Sequence, residues 1–188
     1  FEEYDRVIST IPLPLVAKIA PDLPKDIYEK YSSKINIACV CVIVKLSKAL
    51  TQNFWLNTND ENMDIPGIIE YSNLNPEVGN IVYVPYYMPQ TNSKFQDSDE
   101  IFKEKVSKYF KTINPSLKDS DIKDIRVHRY YFSQPICQPN FMDTLPDAKM
   151  PIDGLWIADT SHYYPEDRGI SESLGYGKDL VKRVISDS

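Results

Sequence analysis

The sequence predicts an α/β fold of the α+β kind: a mainly antiparallel sheet with packed helices, flanked by strand and helix pieces of a second domain. Three observations carry that expectation. Four β-rich runs, at 35–46, 54–58, 67–72 and 81–88, follow one another with turn-forming residues between them. A helix-period stripe of Ile101, Phe102, Val106, Tyr109, Phe110 and Ile113 comes next. Near each end of the chain, a short apolar run leads through a turn into a helix-compatible segment.

The elements follow in order. Residues 7–11 form a short β-rich run stopped by Pro12 and Pro14, and 15–19 suit a helical turn. Pro24 fits the first turn of a helix that runs to Tyr31. The run 35–46 is apolar on both faces, as in a central strand covered on both sides. Asn59, Asp60, Glu61 and Asn62 mark a turn, and residues 75–80 suit a hairpin loop. The stretch 35–88 therefore reads as an antiparallel meander.

Residues 98–113 make the clearest helix. Asp97 or Ser98 caps it, Glu100 favours its first turn, and Asn114-Pro115 ends it. Strand 122–133 alternates through Ile125, Val127, Arg129 and Tyr131. Three prolines in 134–150 predict a crossing loop. A compact strand at 155–158 and a helix over 171–185 close the chain, with Leu174, Gly177, Val181 and Val184 as the helix's packing stripe and Gly175 and Gly177 as points of close helix packing.

Composition narrows the function classes. The 188 residues suffice for one good core, or for one domain plus part of another. Hydrophobic residues at 42% and charged residues at 26% are ordinary for a soluble globular chain, and no apolar run reaches the roughly 18 residues of a membrane span. A net charge of -6, with lysines interleaved among acids, argues against a nucleic-acid partner. Three cysteines make no disulfide framework. Cys39 and Cys41 share a strand face and read as buried thiols, while Cys137, His128 and His162 complete no metal pattern. No metal is expected, and the compartment reads as reducing and cytoplasmic. The chain opens at Phe1 almost directly on a strand, which predicts a boundary inside a longer protein.

The chemistry concentrates between Gly154 and Gly177, where strand, acid, loop, glycine and helix follow in turn. A helix that starts after a glycine offers backbone N–H groups and a positive dipole end to an anion. Asp159, at the carboxyl end of a strand, sits where ligands dock in α/β sheets. It either accepts hydrogen bonds from sugar or ribityl hydroxyls or caps a turn. Arg129 either anchors a substrate carboxylate or makes a surface or cross-strand ion pair. Tyr83, Tyr86 and Tyr87 line an aromatic cage or pack in the core. Glu166, Asp167 and Arg168 form either a solvated loop or part of a cofactor site.

With those residues in view, the segment resembles the C-terminal flavin motif of the FAD-dependent amine-oxidase superfamily. Tyr164-Pro165-Glu166-Asp167-Arg168-Gly169 is similar to its protoporphyrinogen-oxidase-like branch. Val7-Ile8-Ser9-Thr10-Ile11-Pro12-Leu13-Pro14 resembles the strand leading from FAD domain to substrate domain in that family. Ile69-Glu70-Tyr71-Ser72-Asn73 and Arg129-Tyr130-Tyr131-Phe132-Ser133-Gln134-Pro135 resemble substrate-domain landmarks, in the family's order. The resemblance implies returning FAD-domain segments at 1–30 and 151–188 around a substrate domain at 31–150. It implies FAD as cofactor, held by Asp159, Arg168, Gly169, Ile170, Thr10 and Pro12. Arg129, Tyr83 and Tyr86 would then face a small-molecule substrate.

The implied activity is hydride transfer from an amine, porphyrinogen or polyene-like substrate to flavin N5. Backbone donors at the start of the last helix would stabilise the negative charge of reduced flavin. The family's glycine-rich βαβ fingerprint is absent, since no G-x-G-x-x-G occurs. These 188 residues alone are therefore expected to bind FAD weakly or not at all. Two other readings stand beside this one: a flavin-dependent sugar mutase without net redox change, and a non-enzymatic binding module.

Overall fold

The chain divides into two compact units, one formed by Phe1–Asn36 with Gln134–Ser188 and the other by Ile37–Ser133. The computed structural model describes residues 2–167 and 169–187. The sequence places its domain changeovers at 30/31 and 150/151; the compact units change at 36/37 and 133/134.

The Ile37–Ser133 unit is built on a five-stranded sheet of β2 (Asn36–Leu46), β3 (Trp55–Asn57), β4 (Gly67–Glu70), β5 (Ile81–Met88) and β6 (Ile122–Pro135), ordered β3-β4-β5-β2-β6. The expected meander is antiparallel, but β2 does not lie beside β3. It pairs with β5 in the register Val40↔Tyr86, Val42↔Val84 and Val44↔Val82. The physical reason is its composition: β2 is the most apolar strand, and the interior of the sheet buries most of it.

Ala38, Val40, Val42 and Val44 of β2 join Val82, Val84, Tyr86 and Met88 of β5 on one face. Helix α3 (Asp99–Ile113) covers that face with Phe102, Val106, Tyr109 and Phe110. Each such side chain contributes roughly 1.5–3 kcal/mol by leaving water. Ile101, expected on the same stripe, is exposed instead. Cover on both faces of β2 is not what forms: Cys41 and Ile43 are only half-buried and Lys45 is exposed.

The other unit centres on two parallel strands, β1 (Val7–Ser9) and β7 (Leu155–Ile157), in the register Val7↔Leu155, Ile8↔Trp156 and Ser9↔Ile157. The two ends of the chain thus share one sheet, in keeping with the single domain that the family resemblance implies for 1–30 and 151–188. Ile157 packs with Leu13, Val16 and Ala17 of α1 (Leu13–Ile19) and Tyr31 of α2 (Lys25–Ser32). Helix α1 starts two residues before the expected turn, because Pro14 sits in its first turn, where its missing N–H costs nothing. On the opposite face Trp156 and Ala158 pack with Leu180 and Val184 of α4 (Ile170–Ser186). Helices on both faces are what a parallel pair requires.

Helix α4 lies rotated from the sequence expectation. Val184 is buried as expected, but its partner is Leu180, while Leu174 stays 70% and Val181 46% exposed. The close helix packing expected at Gly175 and Gly177 is also absent: a Cβ at either position would meet nothing within 4 Å. Gly154 has the opposite character. Its φ of +73° and the approach of the Asp5 carbonyl to its α-carbon admit no side chain, and its own carbonyl accepts the Val7 N–H at 2.9 Å.

Candidate functional site

Asp159 lies two residues beyond β7, and the Ala158 N–H still donates to the Ser9 carbonyl at 2.9 Å. Asp159 caps a short 3-10 turn, Thr160–Tyr163. Its Oδ1 accepts the Ser161 N–H at 2.8 Å, and its Oδ2 accepts the Leu13 N–H at 3.1 Å. The carboxylate, 8% exposed, thus joins the end of β7 to the start of α1. Burial pushes its pKa up, but the neighbouring His162 ring and the Ser161 and Leu13 N–H groups outweigh that and hold it below the usual carboxylate range. The carboxylate also takes the backbone N–H of His162, which closes a capping box over the turn.

His162 is the residue that sequence reasoning missed. Its side chain is 4% exposed, and its Nδ1 accepts the Asp159 N–H at 3.2 Å. A neutral ring with Nδ1 as acceptor carries its proton on Nε2. That Nε2 is buried with no hydrogen-bond partner among the described residues. The signal was present as spacing: an acid followed three residues later by a side chain that returns to its backbone is the capping-box pattern.

The carboxyl ends of β1 and β7 open on a cleft of about 200 Å3, lined by Thr10, Asp159, Thr160, Tyr163, Ser173 and Tyr176 among others. The Ser173 hydroxyl donates to the Gly169 carbonyl at 2.8 Å, which leaves the Tyr163 hydroxyl to donate to Ser173 Oγ at 3.1 Å. Of the sequence-predicted residues, Thr10 and Asp159 therefore share one cleft. Gly169 is the N-cap of α4 and, as a glycine, brings no side chain to cap it. A Cβ at Gly169 would strike the Glu172 carboxylate, which folds back over it. The Ile170 side chain is 82% exposed. Pro12 caps α1 and accepts the Leu15 N–H at 2.8 Å, away from the cleft lining. Arg168 lies outside the described residues.

In the Ile37–Ser133 unit, Arg129 is committed to the entry of α3. Its guanidinium donates to Asp99 Oδ1 at 2.6 Å, to the Asp97 carbonyl at 2.5 Å and to the Phe95 carbonyl at 3.1 Å. It also lies 5.7 Å from the centre of the Phe102 ring. The ion pair ties β6 to the first turn of α3 and does not cross to a neighbouring strand. Tyr83 and Tyr86 point to opposite faces of β5. Tyr86 is buried edge-on against Phe102, with ring centres 5.1 Å apart, and its hydroxyl has no partner among the described residues. Burial, with Asp64 and Tyr109 nearby, raises its pKa. Tyr83 is half-buried opposite Ile43 and Ile69.

Two carboxylates here were not legible as polar centres. Glu70, 1% exposed, accepts the N–H groups of Leu50 and Thr51 at 2.7 Å each and the Thr51 hydroxyl at 2.9 Å. Three donors offset the cost of burying it. Asp64 accepts the Tyr109 hydroxyl at 2.6 Å, Lys94 at 2.9 Å and Lys105 at 3.1 Å. Partial burial pushes its pKa up, but the phenol and the two ammonium groups hold it well below the ordinary range.

The fold these units define is one shared with solved oxidoreductase structures. The whole chain aligns with 42% of a protein from Exiguobacterium sp. 255-15 assigned as a protoporphyrinogen oxidase, at TM-score 0.69 and 14% identity. An oxidoreductase from Methanosarcina mazei matches over 85% of the chain and 38% of its own length, at TM-score 0.60 and 16% identity. A reduced UDP-galactopyranose mutase matches over 76% of the chain and 33% of its own length, at TM-score 0.53 and 12% identity. The chain thus spans about two-fifths or less of each of these structures. No family model matches the sequence, and comparison with curated proteins finds no match. Among the described residues, no helix is long and apolar enough to cross a membrane.

Proposed function

We propose that the chain is part of an FAD-dependent oxidoreductase that takes hydride from an amine, porphyrinogen or polyene-like substrate. The observation that carries this reading is the cleft at the carboxyl ends of β1 and β7, where Thr10 and Asp159 meet the first turns of α4. Ligands of α/β sheets bind at the carboxyl ends of strands. The fold likeness to two oxidoreductase structures supports the same reading.

The residues present fit one portion of FAD. Asp159 stands on the cleft wall as the acceptor for a ribityl hydroxyl, and Gly169 and Ile170 open α4 at its positive end, beneath the Glu172 carboxylate. They do not fit the pyrophosphate, for which the sequence has no glycine-rich loop. When bound, FAD supplies acceptance of a hydride at N5. The chain's own contribution is placement and field. The α4 dipole favours negative charge beside Gly169, and the Glu172 carboxylate that folds over Gly169 must swing aside for a ligand to reach it. Segments 1–30 and 151–188 then belong to the FAD domain and 31–150 to the substrate domain.

A second reading, a flavin-dependent sugar mutase, is favoured by the likeness to UDP-galactopyranose mutase. Purification of the natural polypeptide that carries this chain tests both. An oxidoreductase is yellow and is bleached by its substrate under anaerobic conditions. A mutase requires prior reduction and returns its flavin unchanged. A colourless polypeptide unable to take up FAD rejects both readings and leaves a non-enzymatic binding module.

A further inference from the structure

We infer that His162 is a positioning residue for the cleft beside Asp159 and makes that cleft sensitive to pH: the neutral ring holds the cleft wall ready for a ligand, and protonation of the ring releases it. The switch lies in the turn's own geometry; only the identity of the ligand rests on the flavin reading above.

The turn Thr160–Tyr163 is closed by reciprocal bonds. The Asp159 carboxylate takes the N–H groups of Ser161 and His162, and His162 Nδ1 takes the Asp159 N–H at 3.2 Å. In an ordinary capping box the returning side chain is Glu or Gln. A carboxylate stays an acceptor down to about pH 4, and an amide carbonyl is an acceptor at every pH. An imidazole accepts at Nδ1 only while it is neutral, and histidine changes charge between about pH 5 and pH 8. A histidine at the third residue of this turn therefore makes the box conditional within that range.

The protonated ring cannot keep the bond. Its side chain is 4% exposed, and Nε2 is buried without a partner among the described residues, so the proton of the neutral ring already lacks an acceptor there. A second proton, on Nδ1, sets two donors against each other across 3.2 Å. An acceptor stands close by: Asp159 Oδ1 is 3.8 Å from Nδ1. A small rotation of the ring exchanges the backbone bond for a charge-assisted one. Oδ1 also holds the Ser161 N–H at 2.8 Å, so the imidazolium competes with the turn for that oxygen.

The surroundings favour the charge. Asp159 faces the ring from its own turn, Asp147 from the loop ahead of β7, and Tyr176 from α4 with ring centres 6.0 Å apart. Arg183 of α4 is paired with Asp147 at 2.7 Å, and Tyr31 of α2 lies in the field of both carboxylates. Burial raises both phenols, which are therefore neutral here. Two carboxylates thus stand against one guanidinium around the ring.

The same turn lines the cleft. Asp159, Thr160 and Tyr163 form its wall, and the Tyr163 hydroxyl reaches Ser173 of α4 at 3.1 Å. Opening the box loosens all three residues and turns the carboxylate from the ligand to the imidazolium. A polyhydroxyl chain, which needs a fixed acceptor at Asp159, binds while His162 is neutral and leaves in acid.

Titration of the natural polypeptide, freed of flavin, with FAD between about pH 5 and pH 8 tests the proposal, with flavin fluorescence as the signal. The dissociation constant is expected to rise about tenfold from the upper to the lower limit. His162→Gln keeps an acceptor in the box and cannot ionise, so it should flatten the profile to within about twofold, whereas His128→Gln, in the Ile37–Ser133 unit, should not. A pH-independent affinity in the parent overturns the proposal, as does a parent-like profile in His162→Gln. Amide exchange is the second readout. Corrected for the intrinsic effect of pH, the Asp159 amide of the parent should lose about tenfold of its protection in acid, while the Ala158 amide, bonded to the Ser9 carbonyl, keeps its own. That comparison needs neither ligand nor variant, so it decides the matter even if His162→Gln does not fold; equal behaviour of the two amides overturns the proposal. A polypeptide that takes up no FAD at any pH but shows the pH-dependent Asp159 amide sinks the flavin reading alone. One that binds FAD with an unchanging Asp159 amide sinks the switch alone.

Discussion

Asp159 and Leu13 are 146 residues apart in the chain, and the carboxylate of one accepts the backbone N–H of the other at 3.1 Å. That bond, with the Ser161 N–H on the second oxygen, locks the turn after β7 to the first turn of α1. Asp159→Ala leaves two buried donors without their anion and should cost about 2–4 kcal/mol. Asp159→Asn keeps an acceptor but loses the charge, and should cost about half as much. Urea titration followed by Trp156 fluorescence measures both; equal stability of all three proteins would contradict the role assigned to Asp159.

Stability should fall in acid, and the direction follows from the carboxylates. Asp159 and Asp64 have folded pKa values below their unfolded ones. Asp121 is held down to about 2 by the Lys118 N–H and then by the Ser47 hydroxyl. A depressed carboxylate stabilises the fold fully above its unfolded pKa, about 4, and loses that contribution as pH falls through the folded value. The free energy of unfolding should therefore fall between about pH 4 and pH 2 on account of these groups. Asp64→Asn should lower stability at neutral pH and flatten the decline below pH 4. A variant that declines as steeply as the parent would remove Asp64 from the account.

The orientation of α4 makes paired predictions. Leu180→Ala opens a cavity beneath the helix and should cost about 2–4 kcal/mol. Leu174→Ala, at a 70% exposed position, should shift the stability of the 188-residue chain by no more than about 0.5 kcal/mol. Gly177→Ala fills open space within a helix and should stabilise the chain by roughly 0.5–1 kcal/mol. Thermal melts rank the three; a costly Leu174→Ala beside a harmless Leu180→Ala would show that the helix packs as its sequence stripe predicts.

Two glycines of nearly equal φ should respond differently. Gly79, at φ +72° and ψ -175°, has nothing within 4 Å of a Cβ, so Gly79→Ala pays only the backbone cost of a region that glycine alone adopts readily, about 1–3 kcal/mol. Gly154, at +73°, has the Asp5 carbonyl in the way. Gly154→Ala should displace β1 from β7 and cost appreciably more, with faster amide exchange at Ser9 as its local signature.

Much of the architecture was legible because its signals are local. β5 occupies 81–88, as its apolar run predicts, and α3 buries the stripe read from its spacing, except Ile101. The likeness of 7–11 and 155–158 to pieces of one sheet was legible through their resemblance to ordered family segments, and β1 and β7 do pair. The polar anchors were hidden for a common reason. Glu70 reaches back to Leu50 and Thr51, Asp64 meets Tyr109, and Arg129 closes on Asp97 and Asp99. No periodicity records which distant donor a carboxylate will find.

Sequence by itself determined which stretches become helix or strand, since side-chain periodicity and turn residues act over a few neighbours. It also determined that Asp159 would stand at a strand's carboxyl end, one loop ahead of a helix. Tertiary structure alone decided that β2 lies between β5 and β6, that α4 rests on Leu180 and Val184 rather than Leu174 and Val181, and that His162 is buried behind Asp159. Those choices compare apolar faces of similar strength, and only the surfaces available to cover them, gathered from remote parts of the chain, separate one from another.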